Sequence, residues 1–397
     1  MKIAIVISSL SIRGGTHKQV LRLAEYLEAK GEDVAIYTKR YDPQKTFPEF
    51  SRFKIVQSRK VEDKSQEVHS KSRIVSVLKS RLNAIMDDRE LLNCIPNDVD
   101  IINMHDNNML YLFPFLRKRF GTKVVWQIND LPVCFQEGAA KNLKQSRNSI
   151  TQKADRILNR FVAKRTDQIT VNVTKNKERV ARCLNKPAKV FYCGVDNNPL
   201  LKEHVYPAEE KIIRLLSTGV FFPYRNYESL VLVVEQLTNK GYDVHLDIIG
   251  STELDKSYAS DIRRMINTKA LEDRITVWGQ VDETTYNELY NKSHIFLFMN
   301  IDQSWGLAVF EAMSCGLPTM VSNSVGAIEL LNDDVDAIIL DPKDIDAICS
   351  KIIRLTEDKE YYDKISFNGY EAVKTFTWER LYCEKMLNLF KELKNEK

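Results

Sequence analysis

Short apolar runs alternate with amphipathic stretches along the whole 397-residue chain. Lys2–Ile7 and Val34–Thr38 read as strands, and Thr16–Lys30 between them sets Val20, Leu23, Ala24 and Leu27 on one helical face. Asp100–Met104 and Val124–Ile128 read as strands around a predicted helix, Met109–Phe120, and Gln168–Val173 and Lys189–Tyr192 follow. Residues Asn197–Lys211, with Pro199, Pro207 and several charges, bury little and read as a linker. The alternation then restarts with strands at Ile212–Ser217, Val244–Ile249, Ile275–Val277, Ile295–Phe298, Thr319–Val321 and Ala337–Leu340. A last helix, Trp378–Leu393, aligns Trp378, Leu381, Tyr382, Met386, Leu389, Phe390 and Leu393 on one face. Strand–helix alternation with short loops predicts parallel, doubly wound sheets. The expected class is α/β: two Rossmann-like domains facing a central cleft, over residues 1–196 and 197–377, with a terminal helical segment over 378–397. Open parallel sheets take their ligands beyond the carboxyl ends of the strands, so the cleft is the expected site.

Composition narrows the function classes. Hydrophobic residues at 44% and charged residues at 28% are ordinary for a soluble globular protein. No apolar run approaches the roughly 20 residues that a membrane span needs, and Met1–Ile7 is too short for a signal-peptide core. Seven cysteines (Cys94, Cys134, Cys183, Cys193, Cys315, Cys349, Cys383) make no C-x-x-C pair and read as free thiols of a cytoplasmic protein. The six histidines show no metal-ligand spacing, and two Asp-Val-Asp triplets, Asp98–Asp100 and Asp334–Asp336, read as turns rather than metal sites. The net charge of +4 conceals an asymmetry: residues 1–200 hold 36 Lys and Arg against 21 Asp and Glu, and the remainder 22 against 33. Two stretches, Arg52–Arg81 and Lys141–Arg165, concentrate the basic charge. Solvated helix faces are the plain reading. The sharper one is peripheral contact with an anionic membrane at its inner face, worth roughly 1 kcal/mol per well-placed basic residue. No nucleic-acid partner is expected, because no recognisable reading module is present.

The segment Asp302–Pro318 carries most of the candidate chemistry. A polar loop runs into Gly306, a short apolar helix follows with Leu307 and Ala308 in its first turn, and Cys315-Gly316 closes it. Free N–H groups and the dipole at a helix N-terminus favour phosphate. Glu311, set among Val309, Phe310, Ala312 and Met313, needs partners and can accept hydrogen bonds from a sugar diol. These features together describe a site for a nucleotide diphosphate and its ribose. Arg225, in Gly219-Val220-Phe221-Phe222-Pro223-Tyr224-Arg225-Asn226, offers a guanidinium that can grip a diphosphate bidentately. Gly14-Gly15 opens the first helix where a backbone can approach phosphate or sugar closely, with Thr16 as the expected N-cap. His105 and Asp106 end one strand, and Gly279-Gln280 ends another, where backbone groups face a base.

The segment from Gln303 to Pro318 resembles the core motif of glycosyltransferase family four, whose members have the GT-B fold: two glutamates with seven residues between them, the second opening Glu-Ala-Met-Ala-Cys-Gly-x-Pro. Glu311 fills the second position and Gln303 stands at the first. The resemblance implies a retaining, metal-independent transferase that moves a sugar from a UDP- or GDP-linked donor to a hydroxyl of a glycan or lipid-linked acceptor, with no further cofactor. It implies ribose contacts for Glu311, a sugar contact for Gln303, the leaving diphosphate for Arg225, and proximity of His105 to donor sugar and acceptor. Gly219 and Gly14-Gly15 would border the donor, and Gly326 and Glu329 resemble a Gly-Gly-x-x-Glu loop. The family's terminal helix crosses back onto the first domain. Gln303, Val220 and Asn129 replace a Glu, an Arg and a His of the family pattern. Those three departures keep open a rival, a catalytically silent GT-B partner that binds nucleotide or glycan.

Overall fold

A computed structural model describes residues 1–58, 73–105, 122–135, 149–196 and 206–396. The expected helix Met109–Phe120, Asp106, most of the expected linker, and residues 59–72 and 141–148 of the two basic stretches lie outside the described residues. The chain forms two compact units, one from residues 1–135, 147–193 and 378–397, the other from 136–146 and 194–377.

The first unit is built on a seven-stranded sheet in the order β3-β2-β1-β4-β5-β6-β7. The strands are β1 (Lys2–Leu10), β2 (Asp33–Tyr41), β3 (Ile55–Gln57), β4 (Ile101–His105), β5 (Lys123–Ile128), β6 (Gln168–Val171) and β7 (Ala188–Val190). All pairings are parallel, with Ile3 opposite Val34 on one side and Ile101 on the other. Ile3–Ile7 are buried without alternation, as expected for a parallel strand covered on both faces. The helix Gly15–Ala29 buries Val20, Leu21, Leu23, Ala24 and Leu27. Edge strand β3 lies within, and the helix Arg73–Cys94 starts in, the stretch Arg52–Arg81 read from sequence only as basic.

Thr16 is not the N-cap. Gly14 takes that position in extended conformation, and its carbonyl accepts from Lys18 N–H at 3.0 Å. The helix therefore starts at Gly15, and the Thr16 hydroxyl instead accepts from Asn129 Nδ2 at 3.1 Å. At the other terminus a π-helical turn, Glu379–Cys383, leads into the helix Glu384–Asn395. Trp378, Leu381, Tyr382, Met386, Leu389, Phe390 and Leu393 are buried. Lys394 pairs with Asp100 at 2.9 Å, and Lys189 with Glu392 at 3.0 Å.

The second unit repeats the plan in six parallel strands, ordered β10-β9-β8-β11-β12-β13. They are β8 (Ile213–Thr218), β9 (Val244–Ile249), β10 (Ile275–Gly279), β11 (Ile295–Phe298), β12 (Thr319–Ser322) and β13 (Ile338–Leu340). The strand order reverses at β8, which pairs with β9 on one side and β11 on the other. A crevice forms at the carboxyl ends of such strands. The end of the expected linker belongs to this unit. Tyr206 is buried against Tyr362, with ring centroids 5.4 Å apart, and its hydroxyl donates to the Thr356 carbonyl. Pro207–Glu210 is a helical turn with Pro207 at its start, where the fixed φ of proline is pre-organised. Among the described residues no helix is long and apolar enough to cross a membrane.

Candidate functional site

In the second unit the loops following β8 and β11 hold Arg225. Gly219 has φ +155°, and a Cβ there would lie 2.6 Å from Arg225 Cζ. The Gly219 carbonyl accepts from Tyr227 Oη at 2.7 Å. Arg225 ends the turn Pro223–Arg225, which Asn226 closes in left-handed conformation at φ 55°. The Asn226 amide donates to Met299 O at 3.1 Å and Pro342 O at 2.9 Å, which fixes the loop. Arg225 Nη1 then donates to Gln303 Oε1 at 3.1 Å, and the guanidinium lies over the Tyr224 ring at 5.1 Å and the Phe298 ring at 5.9 Å. The Asn300 amide also meets Gln303 Oε1. Turned over, it brings its oxygen to 2.8 Å from Arg225 Nη1. Arg225 Nε is buried without a partner among the described residues. Among the described residues its partners are amides and rings rather than carboxylates. A guanidinium held by neutral groups keeps its full charge and spare donors for an anion.

Gly306 brings a helix terminus to the same side chain. At φ +122° it is the N-cap of the helix Leu307–Ser314, and a Cβ there would lie 2.9 Å from Phe298 Cε1. Phe298 thus touches both the guanidinium and the start of this helix. No side chain caps the terminus, and the Leu307 and Ala308 N–H groups have no acceptor among the described residues. The preceding loop is laced down by Gly326 N–H to Gln303 O at 3.1 Å, Ala327 N–H to Trp305 O at 3.2 Å, and Asp302 N–H to Ser324 Oγ at 3.1 Å.

Glu311 is half-buried on this helix. Its Oε2 lies 3.4 Å from Tyr286 Oη, which is itself 2.8 Å from Tyr290 Oη. Burial first, then the neighbouring Tyr290 and the Glu311 charge, pushes the Tyr286 hydroxyl well above its ordinary range, so it stays protonated as a donor. Gly279, at φ +73°, has open space where a Cβ would stand, and Gln280 is exposed. Gly326 opens the turn Gly326–Leu330, on which Glu329 is exposed. Arg225, Gly219, Gln303, Gly306, Leu307, Ala308 and Glu311 are therefore all carried on the loops and helix following β8 and β11. Tyr286 and Tyr290 were not anticipated; their spacing of four on the helix Glu283–Lys292 was the available signal. Gly219→Ala is expected to destabilise the fold by about 1–3 kcal/mol and to displace Arg225. Thermal denaturation checks the first effect; an unchanged midpoint contradicts the close approach.

In the first unit Gly14, His17 and His105 form a second group. A Cβ on Gly14 would stand 3.3 Å from His17 Nδ1, and Gly15 beside it is exposed. His105 ends β4 and is fully buried, with Nε2 2.7 Å from Asn103 Oδ1. Nε2 therefore carries the proton, and buried Nδ1, without a partner among the described residues, keeps a lone pair. Burial, and then the His17 charge, lowers the His105 pKa to about 3. His105 is thus a neutral imidazole rather than a proton source. Beside it runs an amide network that the sequence did not reveal: Asn129 Nδ2 to Gln19 Oε1 at 2.8 Å, Gln127 Nε2 to Asn129 Oδ1 at 3.0 Å, and Thr170 Oγ1 to Gln127 Oε1 at 2.6 Å. Because the unfolded chain protonates His105 near 6.5 and the folded chain near 3, its contribution to stability is complete above pH 6.5 and falls away as pH drops toward 3. His105→Gln should therefore show a flatter loss of urea midpoint between pH 7 and pH 4 than the unmodified protein. Parallel curves would remove His105 as the cause.

Known proteins match both units. Residues 201–372 match the family model for glycosyl transferases group 1, and residues 13–198 match that for glycosyltransferase family 4. The O-antigen chain mannosyltransferase RfbU of Salmonella typhimurium is 25% identical over 158 residues, 39% of this chain and 41% of that protein. The match therefore spans about two fifths of that relative's length. Sucrose-phosphate synthase from Thermosynechococcus elongatus shares the fold with a TM-score of 0.76 at 18% identity over 98% of both chains. Anabaena HepE in complex with UDP-glucose does so with a TM-score of 0.74 at 14% identity over 99% of this chain and 100% of that one. Two units with parallel sheets of this order and these structural neighbours show the GT-B fold. The chain belongs to glycosyltransferase family 4.

Proposed function

We propose that the protein is a retaining, metal-independent transferase that moves a sugar from a UDP- or GDP-linked donor to a hydroxyl of a glycan or lipid-linked acceptor in polysaccharide biosynthesis, within the cytoplasm. One observation carries the reading: Arg225, surrounded by neutral partners and with Nε unsatisfied, shares Phe298 with the uncapped helix terminus at Gly306. That arrangement supplies two sources of positive character for a departing diphosphate. Arg225 and the Leu307 and Ala308 N–H groups take its oxygens, Glu311 takes the ribose hydroxyls, and the backbone at Gly279-Gln280 faces the base. Gln303 offers its amide to the transferred sugar. A glutamate in its place would pair with Arg225 and offset the charge that the leaving group needs, so the amide suits a site of this design. In the first unit His105 Nδ1 offers an acceptor to a substrate hydroxyl, and Gly14-Gly15 leaves backbone room nearby. As the bond from the anomeric carbon to the diphosphate breaks, its electron pair passes to the diphosphate oxygen, the acceptor oxygen bonds to the anomeric carbon on the same face, and the diphosphate oxygen takes the acceptor's proton.

Two departures from the family pattern that favoured a silent protein have structural occupations here. Asn129 belongs to the amide network with Gln19, and Gln303 holds Arg225. Thermal-shift measurements with UDP- and GDP-sugars, paired with assays for transfer and for slow donor hydrolysis, test the reading. Stabilisation by one base class together with turnover is expected. Stabilisation with neither transfer nor hydrolysis would make the protein a silent binder, and no response to any donor would contradict both readings.

A further inference from the structure

The helix Ser149–Arg165 has two unlike faces. Asp155, Asn159, Val162 and Ala163 are buried. On the outer side Ile157 is 69% exposed and Phe161 39% exposed, and their spacing of four stacks them one turn apart. Lys153, Arg160 and Lys164 are exposed beside them. The single acid of this helix, Asp155, is on the buried side. Among the described residues Lys153, Arg160 and Lys164 form no ion pair. Arg160 Nε donates to Cys183 O at 2.8 Å, and the Arg165 guanidinium covers the Phe161 ring at 3.4 Å. The face therefore combines uncompensated positive charge with two apolar side chains that the fold leaves in water.

We infer that this face docks on an anionic lipid bilayer, with Ile157 and Phe161 entering the boundary of headgroups and acyl chains and the flanking cations meeting acidic headgroups. Ile157 and Phe161 stand together, one turn apart, on a face rimmed by cations rather than singly. Positive charge alone would serve a nucleic acid equally, but single strands are held by aromatic platforms, and an aliphatic side chain ringed by Lys and Arg is the pattern of an interfacial helix. The inference is independent of the donor chemistry, since it uses none of the residues assigned to it.

Co-sedimentation of the full chain with phosphatidylcholine vesicles, with and without phosphatidylglycerol, tests it. The protein should bind only the acidic vesicles and release them at high salt. Two variants, Ile157→Ser/Phe161→Ser and Lys153→Glu/Lys164→Glu, should each lower the bound fraction by about tenfold or more. Both change exposed positions, so the thermal midpoint and transfer to a soluble acceptor should stay as in the unmodified protein. Equal binding to both vesicle types, no binding to either, or a Ser variant that binds as the unmodified protein does would overturn the inference. So would binding confined to a single-stranded oligonucleotide.

Discussion

Arg225→Ala is expected to reduce the turnover number for sugar transfer by about 10²–10³-fold, the scale seen when one preorganised donor to a developing negative charge is removed. The effect should fall on kcat more than on the donor KM, because diphosphate charge grows as the glycosidic bond breaks. The thermal midpoint should change little, since the guanidinium is half-buried and its partners are neutral. Arg225→Lys should recover only part of the loss, because an ammonium restores charge but cannot present two parallel donors. Steady-state kinetics of the two variants checks this. Turnover within a few-fold of the unmodified protein for the alanine variant would show that the leaving group is stabilised by something else.

Glu311→Ala should abolish the stabilisation that a nucleotide sugar confers. Each charge-assisted bond from a ribose hydroxyl to the carboxylate is worth about 1.5–3 kcal/mol, so losing two weakens binding by about two orders of magnitude or more. A donor at 100 times its dissociation constant contributes about 2.7 kcal/mol to stability, and that contribution disappears in the variant at the same concentration. Calorimetric titration with the ribonucleotide and its 2′-deoxy counterpart sharpens the test. The unmodified protein should prefer the ribonucleotide, and the variant should treat the two alike. A preserved preference would take Glu311 off the ribose.

How far these features were legible depends on how local their causes are. β11 and the Ile3–Ile7 part of β1 are unbroken apolar runs because both faces of a parallel sheet are covered, so their positions stand out in the sequence. β3 has only Ile55 and Val56 as apolar members and borders a charged stretch, which hides it. The contribution of Tyr206 to the core depends on Tyr362 and Thr356, 156 and 150 positions away, and periodicity carries no trace of it. The donor-side helix was visible because Gly306, Glu311 and Cys315-Gly316 lie within one short segment. The contact of Arg225 with Gln303 spans 78 positions and rests on loop geometry set by Gly219 and Asn226. The amide network joins Gln19, Gln127, Asn129 and Thr170 across several elements, and in sequence each is an ordinary polar residue with no mark of the others.

The most direct test is a crystal structure of the protein with an intact sugar nucleotide bound. The account predicts pyrophosphate oxygens within hydrogen-bonding distance of the Arg225 guanidinium and the Leu307 and Ala308 N–H groups, with the ribose on Glu311. A pyrophosphate held elsewhere, with Arg225 still bonded only to Gln303, would contradict it.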